Sequence, residues 1–443
     1  MTGAIAHRLR RVLLGALAAL IIGASTCGAI AQETAPAEPS EEDLVRAELE
    51  RIIADEPTEA EHARRALSAL DQPSGSSTGR LMRNRRERGA KRIVNGLPAR
   101  GYPAVGALLA GADPRSGRFQ CTGTLVGCDK FLTAAHCIED NPSGPYLVYF
   151  QEVGFFAVKE VRWQKEQYKF PYFDLAMLTL ARSVEGIAPM AINTTIRPLN
   201  KSIATVVGFG RTGGSRFDYG VKREGSVRTE ACPARYANWK LLCWTFDADV
   251  KSRSSRSNTC NGDSGGGVFM RDRDGRRVID KVFGVVSGGR DKGCAKDDVS
   301  YNVDVFEYRE WITAAGEGRL SSRMCGDPNS GRRKAMTKRF LHRFSDAEVE
   351  LVRTLDIPRG VGTLHVSMNG EDDGAGKNDF DLLVFHGDSK SGETPVCSED
   401  GPGVFAFCEI RSPASGLWTI TVRRKKGAGN VQVTARFVES AVR

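Results

Sequence analysis

Thr259-Cys260-Asn261-Gly262-Asp263-Ser264-Gly265-Gly266-Gly267 is the stretch whose reading decides this chain. A serine hydroxyl is a poor nucleophile at neutral pH. It needs a base beside it and N–H donors aimed at the oxyanion it creates. Glycines on both sides of Ser264 let the backbone turn sharply and come close to another molecule. An oxyanion hole formed by the Gly262 and Ser264 N–H groups needs such a backbone. Taken alone, the stretch reads equally well as a glycine-rich turn.

Working outward, 443 residues are too many for one ordinary domain, so two or three units are expected. A hydrophobic content of 41% is enough for proper cores. The net charge of +9 is unevenly spread: +3 over residues 1–31, −8 over 32–79, +6 over 80–92 and +8 beyond. A diffuse +8 implies mild attraction to acidic surfaces. No nucleic-acid-binding motif is present, so no nucleic-acid partner is expected.

Residues 1–31 read as a secretory signal peptide. Arg8, Arg10 and Arg11 form its positive end, residues 12–22 its apolar run, and Ala29-Ile30-Ala31 a small-x-small cleavage site. The run is too short for a comfortable membrane span, so no stable membrane insertion is expected. Cys27 offers the alternative of a lipoprotein processing site, but Ala24-Ser25-Thr26 before it lacks the usual leucine. Residues 32–92 read as an activation propeptide. Ser40 and Asp43 suggest a helix start, and Leu44, Val45, Leu49, Ile52 and Ile53 recur at helical spacing. A Ser/Gly-rich segment over 72–79 is open to proteases and leads into a basic run ending at Lys91-Arg92.

After Arg92 the sequence continues Ile93-Val94-Asn95-Gly96. Further on come Leu132-Thr133-Ala134-Ala135-His136-Cys137, then Asp174-Leu175-Ala176-Met177-Leu178, the serine segment, and Ser287-Gly288-Gly289. In this order, over about 93–320, the motifs resemble those of trypsin-like (chymotrypsin-fold) serine proteases. The resemblance implies an all-β fold of two antiparallel six-stranded barrels, with a Ser264–His136–Asp174 triad in the cleft between them. His136 would take the Ser264 proton and return it to the leaving amine, and Asp174 would hold the imidazole's tautomer. Ser287 to Gly289 would pair with substrate backbone. After cleavage at Arg92, Asp263 would pair with the new α-amino group of Ile93, so the uncleaved chain is expected to be inactive. No cofactor or metal is implied.

The pattern of apolar residues along the chain agrees with an all-β domain. Apolar or alternating runs at 104–109, 119–126, 146–150, 155–161, 204–208, 241–244 and 282–287 are separated by turn-rich segments. Residues 305–313 read as a closing helix that docks Trp311 and Ile312. Of 11 cysteines, Cys27 leaves with the signal peptide. The resemblance pairs Cys121 with Cys137, Cys232 with Cys243, and Cys260 with Cys294. Cys397 and Cys408 lie together in the tail and are read as a pair. Cys128 and Cys325 are left over, so parity pairs them. Such cysteine usage fits a secreted or periplasmic protein.

The specificity pocket departs from trypsin, which has an aspartate six residues before the nucleophile. Here that residue is Asn258, and by approximate alignment Val299 fills volume near the pocket floor. Arg290, just past Gly289, adds positive charge at the mouth. Asn258, Ser287, Gly289 and Val299 therefore predict a narrowed, neutral pocket for uncharged side chains, and activation by a separate protease. The competing reading is that Asp297 or Asp298 on the following loop restores basic selectivity.

Residues 321–335 read as a linker around Gly326-Asp327-Pro328-Asn329-Ser330-Gly331. Residues 336–443 read as an accessory β-sandwich, with alternating runs at 364–368, 381–385, 404–408, 418–422 and 431–437. Asp379-Phe380-Asp381-Leu382-Leu383-Val384-Phe385, the cysteine pair and Gly416-Leu417-Trp418-Thr419-Ile420-Thr421-Val422 resemble the pre-peptidase C-terminal domain of secreted bacterial proteases. That implies a role in secretion or substrate binding. Glu371, Asp372, Asp373, Asp379 and Asp381 are read as a solvated acidic loop in preference to a Ca²⁺ site.

Two functions follow as expectations. The first is a secreted endopeptidase made as a zymogen, acting on protein or peptide substrates. The second is a catalytically silent binding protein on the same fold.

Overall fold

In the computed structural model the described residues are 93–114, 116–247, 257–274, 277–326, 335–373, 376–388 and 394–439. The signal-peptide, propeptide and Arg92 expectations, and most of the linker, lie outside them. After a short strand β1 (Leu97–Pro98), six strands follow: β2 (Val105–Ala110), β3 (Arg118–Leu125), β4 (Lys130–Thr133), β5 (Tyr146–Phe150), β6 (Gly154–Trp163) and β7 (Ala176–Leu180). They close into an antiparallel barrel in the order β2-β3-β4-β7-β6-β5. β5 and β7 are buried on both faces, which is why they read as near-continuous apolar runs.

The second lobe holds β8 (Ala191–Ile192), β9 (Ile203–Gly208), β10 (Arg223–Arg228), β11 (Leu241–Thr245), β12 (Gly267–Asp274), β13 (Arg277–Gly289) and β14 (Val299–Asp304). With β1 they form an eight-stranded sheet ordered β1-β10-β9-β12-β13-β14-β11, with β8 parallel to β13. Among the described residues this eight-stranded sheet is the second lobe beside the closed barrel, in keeping with the all-β architecture expected. The closing helix α1 is Arg309–Gly316, and it starts later than the 305–313 reading. Asp304 accepts the Phe306 N–H and Val305 N–H donates to Phe283, so residues 305–308 form turns that complete the β sheet edge. Ile312 is fully buried and Trp311 packs beside it.

The tail is a sandwich of two four-stranded antiparallel sheets. One is ordered β15 (Ala335–Phe344), β22 (Gly429–Glu439), β17 (Val361–Gly370), β20 (Phe405–Arg411). The other is ordered β16 (Glu350–Ile357), β21 (Gly416–Lys426), β18 (Asp379–His386), β19 (Cys397–Glu399). β15, β16 and β19 escaped the sequence reading. Val431, Val433, Ala435 and Phe437 point into the sandwich core, as period-2 alternation requires. Their polar neighbours Asn430, Gln432, Thr434 and Arg436 are buried as well, because this face packs on the first barrel.

That contact is specific. Gln151 donates to Asn369 at 2.9 Å and to Gln432 at 3.0 Å, and Asn369 donates to Gln432 at 2.8 Å and to the Gly220 carbonyl at 2.7 Å. Ser367 donates to the Gln151 carbonyl, and Glu152 pairs with Arg339 and Arg436. Phe407 fits against Gly154, which has φ +82°. Burial there pushes the Lys222 amine down to about 7; its Nζ donates to the Tyr102 carbonyl. Residues Lys91–Arg443 accordingly form one compact unit.

Five disulfides are present: Cys121–Cys137, Cys128–Cys325, Cys232–Cys243, Cys260–Cys294 and Cys397–Cys408. Cys128–Cys325 spans 197 residues and ties the end of the second lobe to the first barrel. Among the described residues no helix is long and apolar enough to cross a membrane.

Candidate active site

β4 delivers the chain into a single helical turn, Ala135–Cys137, that carries His136 between the lobes. Asp174 sits just before β7, on a turn where Phe173 adopts φ 54°. The Phe173 N–H is held 3.2 Å from the Tyr308 hydroxyl, and its ring packs on Tyr308 and Trp311. Asp174 is fully buried. Its Oδ1 accepts the His136 backbone N–H at 2.9 Å, and its Oδ2 lies 2.7 Å from His136 Nδ1. The Ser287 hydroxyl donates to the same Oδ2 at 2.6 Å. Burial opposes charge on the imidazole, but the neighbouring Asp174 charge and hydrogen bond outweigh it and raise the His136 pKa.

Ser264 lies on a turn with Gly262 at φ +91° and Gly265 at φ +82°. A Cβ at Gly265 would collide with the Thr133 hydroxyl and the Thr122 carbonyl, so glycine is required there. The turn is clamped from both lobes: Thr122 N–H donates to the Ser264 carbonyl at 2.9 Å, and Gly265 N–H donates to Val286 at 2.7 Å. Among the described residues, neither the Gly262 nor the Ser264 N–H is used in an internal hydrogen bond. The Ser264 hydroxyl points to the Ser287 carbonyl at 3.5 Å, and no hydrogen bond joins it to His136. Catalytic bonds of this kind are often long before substrate binds. His136 and Ser264 line one cleft of about 740 Å³.

Ile93 is fully buried with Val206, Val227, Trp244 and Phe283. Asp263, also fully buried, accepts N–H bonds from Gly210 and Cys260, both at 2.9 Å. No cation lies within ion-pair distance of it among the described residues. Burial therefore raises its carboxyl to about 7.

The pocket residues depart from the sequence reading. Ser287 and Gly289 line the cleft, but Val299 pairs with Thr245 at a strand edge and does not. Asn258 is fully buried behind the wall, accepting from Trp244 Nε1 at 3.1 Å. Its amide donates to Asp298 Oδ2 at 2.9 Å, and Asp298 Oδ1 accepts the Asp291 N–H at 2.8 Å. Asp298, only 2% exposed, lines the cleft and abuts Gly289, where a Cβ would come within 2.6 Å of its Oδ2. The loop over 291–298 thus brings the Asp298 carboxylate beside Asn258, on the wall of the cleft. Arg290 turns outward to the Asp297 carbonyl.

The acidic tail residues are not a solvated loop. Glu371 binds Arg223 and Asn430, Asp379 accepts the Gly403 N–H, and buried Asp381 pairs with Lys425. Among the described residues the one grouping close enough to hold a metal is Cys121, His136 and Cys137, and its two sulfurs form a disulfide. Sequence reasoning also missed Phe217, Tyr219 and Asp373, which line the same cleft.

The family profile described as Trypsin matches residues 93–312. The platelet-aggregating proteinase PA-BJ of Bothrops jararaca is 25% identical over 223 residues, 46% of this chain and 86% of that protein. The beta-fibrinogenase brevinase of Gloydius blomhoffii is 28% identical over 228 residues, 46% of this chain and 90% of that protein. Thrombin-like enzyme 2 of Trimeresurus albolabris is 31% identical over 233 residues, 48% of this chain and 84% of that protein. With the barrel, the cleft and the His136–Asp174 pair between the lobes, these likenesses mean that the chain belongs to the trypsin family of serine proteases.

Proposed function

We propose that this protein is a secreted endopeptidase, made as a zymogen and activated by cleavage after Arg92. Ser264 is its nucleophile, His136 its general base and acid, and Asp174 the orienting carboxylate. The observation that carries this reading is the 2.7 Å His136 Nδ1–Asp174 Oδ2 contact, in the same cleft as Ser264. Asp174 holds the imidazole so that Nε2 can accept the Ser264 proton. A side-chain rotation of Ser264 away from the Ser287 carbonyl brings the hydroxyl to that nitrogen. Attack forms an acyl-enzyme and an oxyanion, which the Gly262 and Ser264 N–H groups receive. His136 then protonates the leaving amine, and water repeats the sequence to release the acid.

Two further observations support the finer parts. Buried Asp263 has two N–H donors but no counter-ion among the described residues, and the α-amino group of Ile93 would supply one. Asp298 on the pocket wall supports a preference for Arg or Lys before the scissile bond, in place of uncharged residues. The same preference lets mature enzyme process its own precursor at Arg92. Domain limits of 93–320 for the protease and 336–443 for the accessory sandwich belong to this reading, as do the signal peptide over 1–31 and the propeptide over 32–92. Hydrolysis of an Arg-containing peptide by cleaved wild type, lost in Ser264→Ala, tests the proposal. Turnover by a pure Ser264→Ala preparation would refute it.

A further inference from the structure

The cleft does not belong to the protease lobes alone. Asp373, from the tail sandwich, lines it together with Phe119, Phe217 and Tyr219. Asp373 follows a backbone bridge in which Tyr219 and Asp372 exchange N–H bonds at 3.0 and 2.9 Å. One residue earlier, Glu371 pairs with Arg223 at 3.2 Å. Arg223 is itself buried and donates to the carbonyls of Gly210, Asp218 and Val221. The tail therefore grips the 210–221 loop that presents Phe217 and Tyr219 at its Tyr219 end, and reaches its Gly210 end through Arg223.

The two flanks of the cleft differ. On the protease reading, Ser287, Gly289 and Asp298 receive the residues before the scissile bond. Phe119, the Cys121–Cys137 disulfide, Tyr219 and Asp373 line the rest of the cleft, which on that reading takes the leaving peptide. Phe217 is 61% exposed and offers a ring face there. Arg211 lies 5.4 and 5.9 Å from the Phe217 and Tyr219 ring centroids, so these rings already accommodate a cation. Asp373 brings a carboxylate beside these rings, its Oδ1 accepting the Lys377 N–H at 3.1 Å; Arg216 on the same loop and Lys292 on the cleft wall are further cations. Aromatic faces beside a carboxylate suit a long basic side chain, which packs its stem and keeps its charge near the acid.

We propose that the C-terminal sandwich completes the leaving-group half of the cleft, and that Asp373 with Tyr219 and Phe217 selects a Lys or Arg within the first residues after the scissile bond. This rests on the protease reading above, so the test must separate the two. Activated full-length enzyme is first titrated with a fluorophosphonate probe, which fixes the concentration of working Ser264. Quenched peptides that share one Arg before the scissile bond, and differ only in Arg or Glu at the second position after it, are then compared by kcat/KM.

Wild type should favour Arg over Glu, and Asp373→Asn should shrink that ratio by roughly 3- to 10-fold. Asp373→Glu should keep most of it, and Asp373→Lys should reverse it. The ratio is internal to each variant, so a loss of folded protein does not mimic the effect. A wild-type ratio near one, or one unchanged in Asp373→Asn, overturns the inference. Failure of wild type to take up the probe overturns the protease reading and this inference with it.

Discussion

Asn258 gives its side-chain amide to Asp298 Oδ2 at 2.9 Å, inside the wall of the substrate cleft. Both side chains are buried, so the pair joins the segment just before Ser264 to a loop 40 residues later. An amide alone cannot balance a desolvated cation; on the proposed reading it orients a carboxylate that would. Activated enzyme should therefore prefer Arg or Lys over Ala, Leu or Phe before the scissile bond by at least about tenfold, or 1.4 kcal/mol. Asp298→Asn should remove most of that preference. Matched peptides compared by kcat/KM check this, and a wild-type preference for uncharged residues would mean that Asp298 does not face the bound side chain.

The precursor should carry a pH signature of Asp263. Burial holds this carboxyl at about 7 in the folded chain, whereas an unfolded one titrates near about 4. A folded pKa above the unfolded value favours the neutral form. The stability it contributes is complete below about pH 4 and is lost as pH rises through about 7, at most roughly 4 kcal/mol by linkage. Thermal melts of an Arg92→Gln precursor should fall across this window, and Asp263→Asn should flatten the slope. Equal slopes in both proteins would exclude a desolvated Asp263.

His136 should set the acid limb of activity. Its pKa is raised, so kcat/KM should climb with pH through a midpoint above the ordinary histidine value of about 6.5. Asp174→Asn should lower kcat by about 10⁴ by favouring the wrong tautomer. A pH–rate profile of each protein measures both effects; a midpoint below 6.5 in wild type would contradict the His136–Asp174 coupling.

These features divide by how local their cause is. The Ser264 turn, the His136 turn and the Asp174 segment are short motifs whose residue types state their chemistry, so they were legible. Asp298 stood only as a competing reading, because its place depends on where a distant loop returns. β22 illustrates the same limit. Its alternation of Val431, Val433, Ala435 and Phe437 with polar residues reads as a strand with one wet face. Burial of Gln432 and Arg436 follows only once the first barrel is docked on them. The late start of α1 has a local cause, but one that requires knowing that Val305 completes the sheet edge.

The docking network should be costly to break. Gln432 Oε1 accepts from Gln151, Asn369 and the Lys222 N–H, all buried. Gln432→Ala leaves these donors unpaired, at about 1–3 kcal/mol each. Denaturant unfolding should fall by several kcal/mol in total, and Gln432→Glu, which keeps the acceptor, should lose less. Wild-type stability in Gln432→Ala would mean that the sandwich does not dock through this face.

The central claim is that cleavage after Arg92 makes Ser264 a nucleophile. Its most direct measurement is fluorophosphonate labelling of purified chain before and after that cleavage, with the labelled residue mapped by peptide mass spectrometry. The expected result is a single adduct on Ser264 in the cleaved chain, little or none in Arg92→Gln, and none in His136→Ala at matched exposure. Labelling of the intact precursor at the cleaved-chain rate, or an adduct on any serine other than Ser264, would contradict the account.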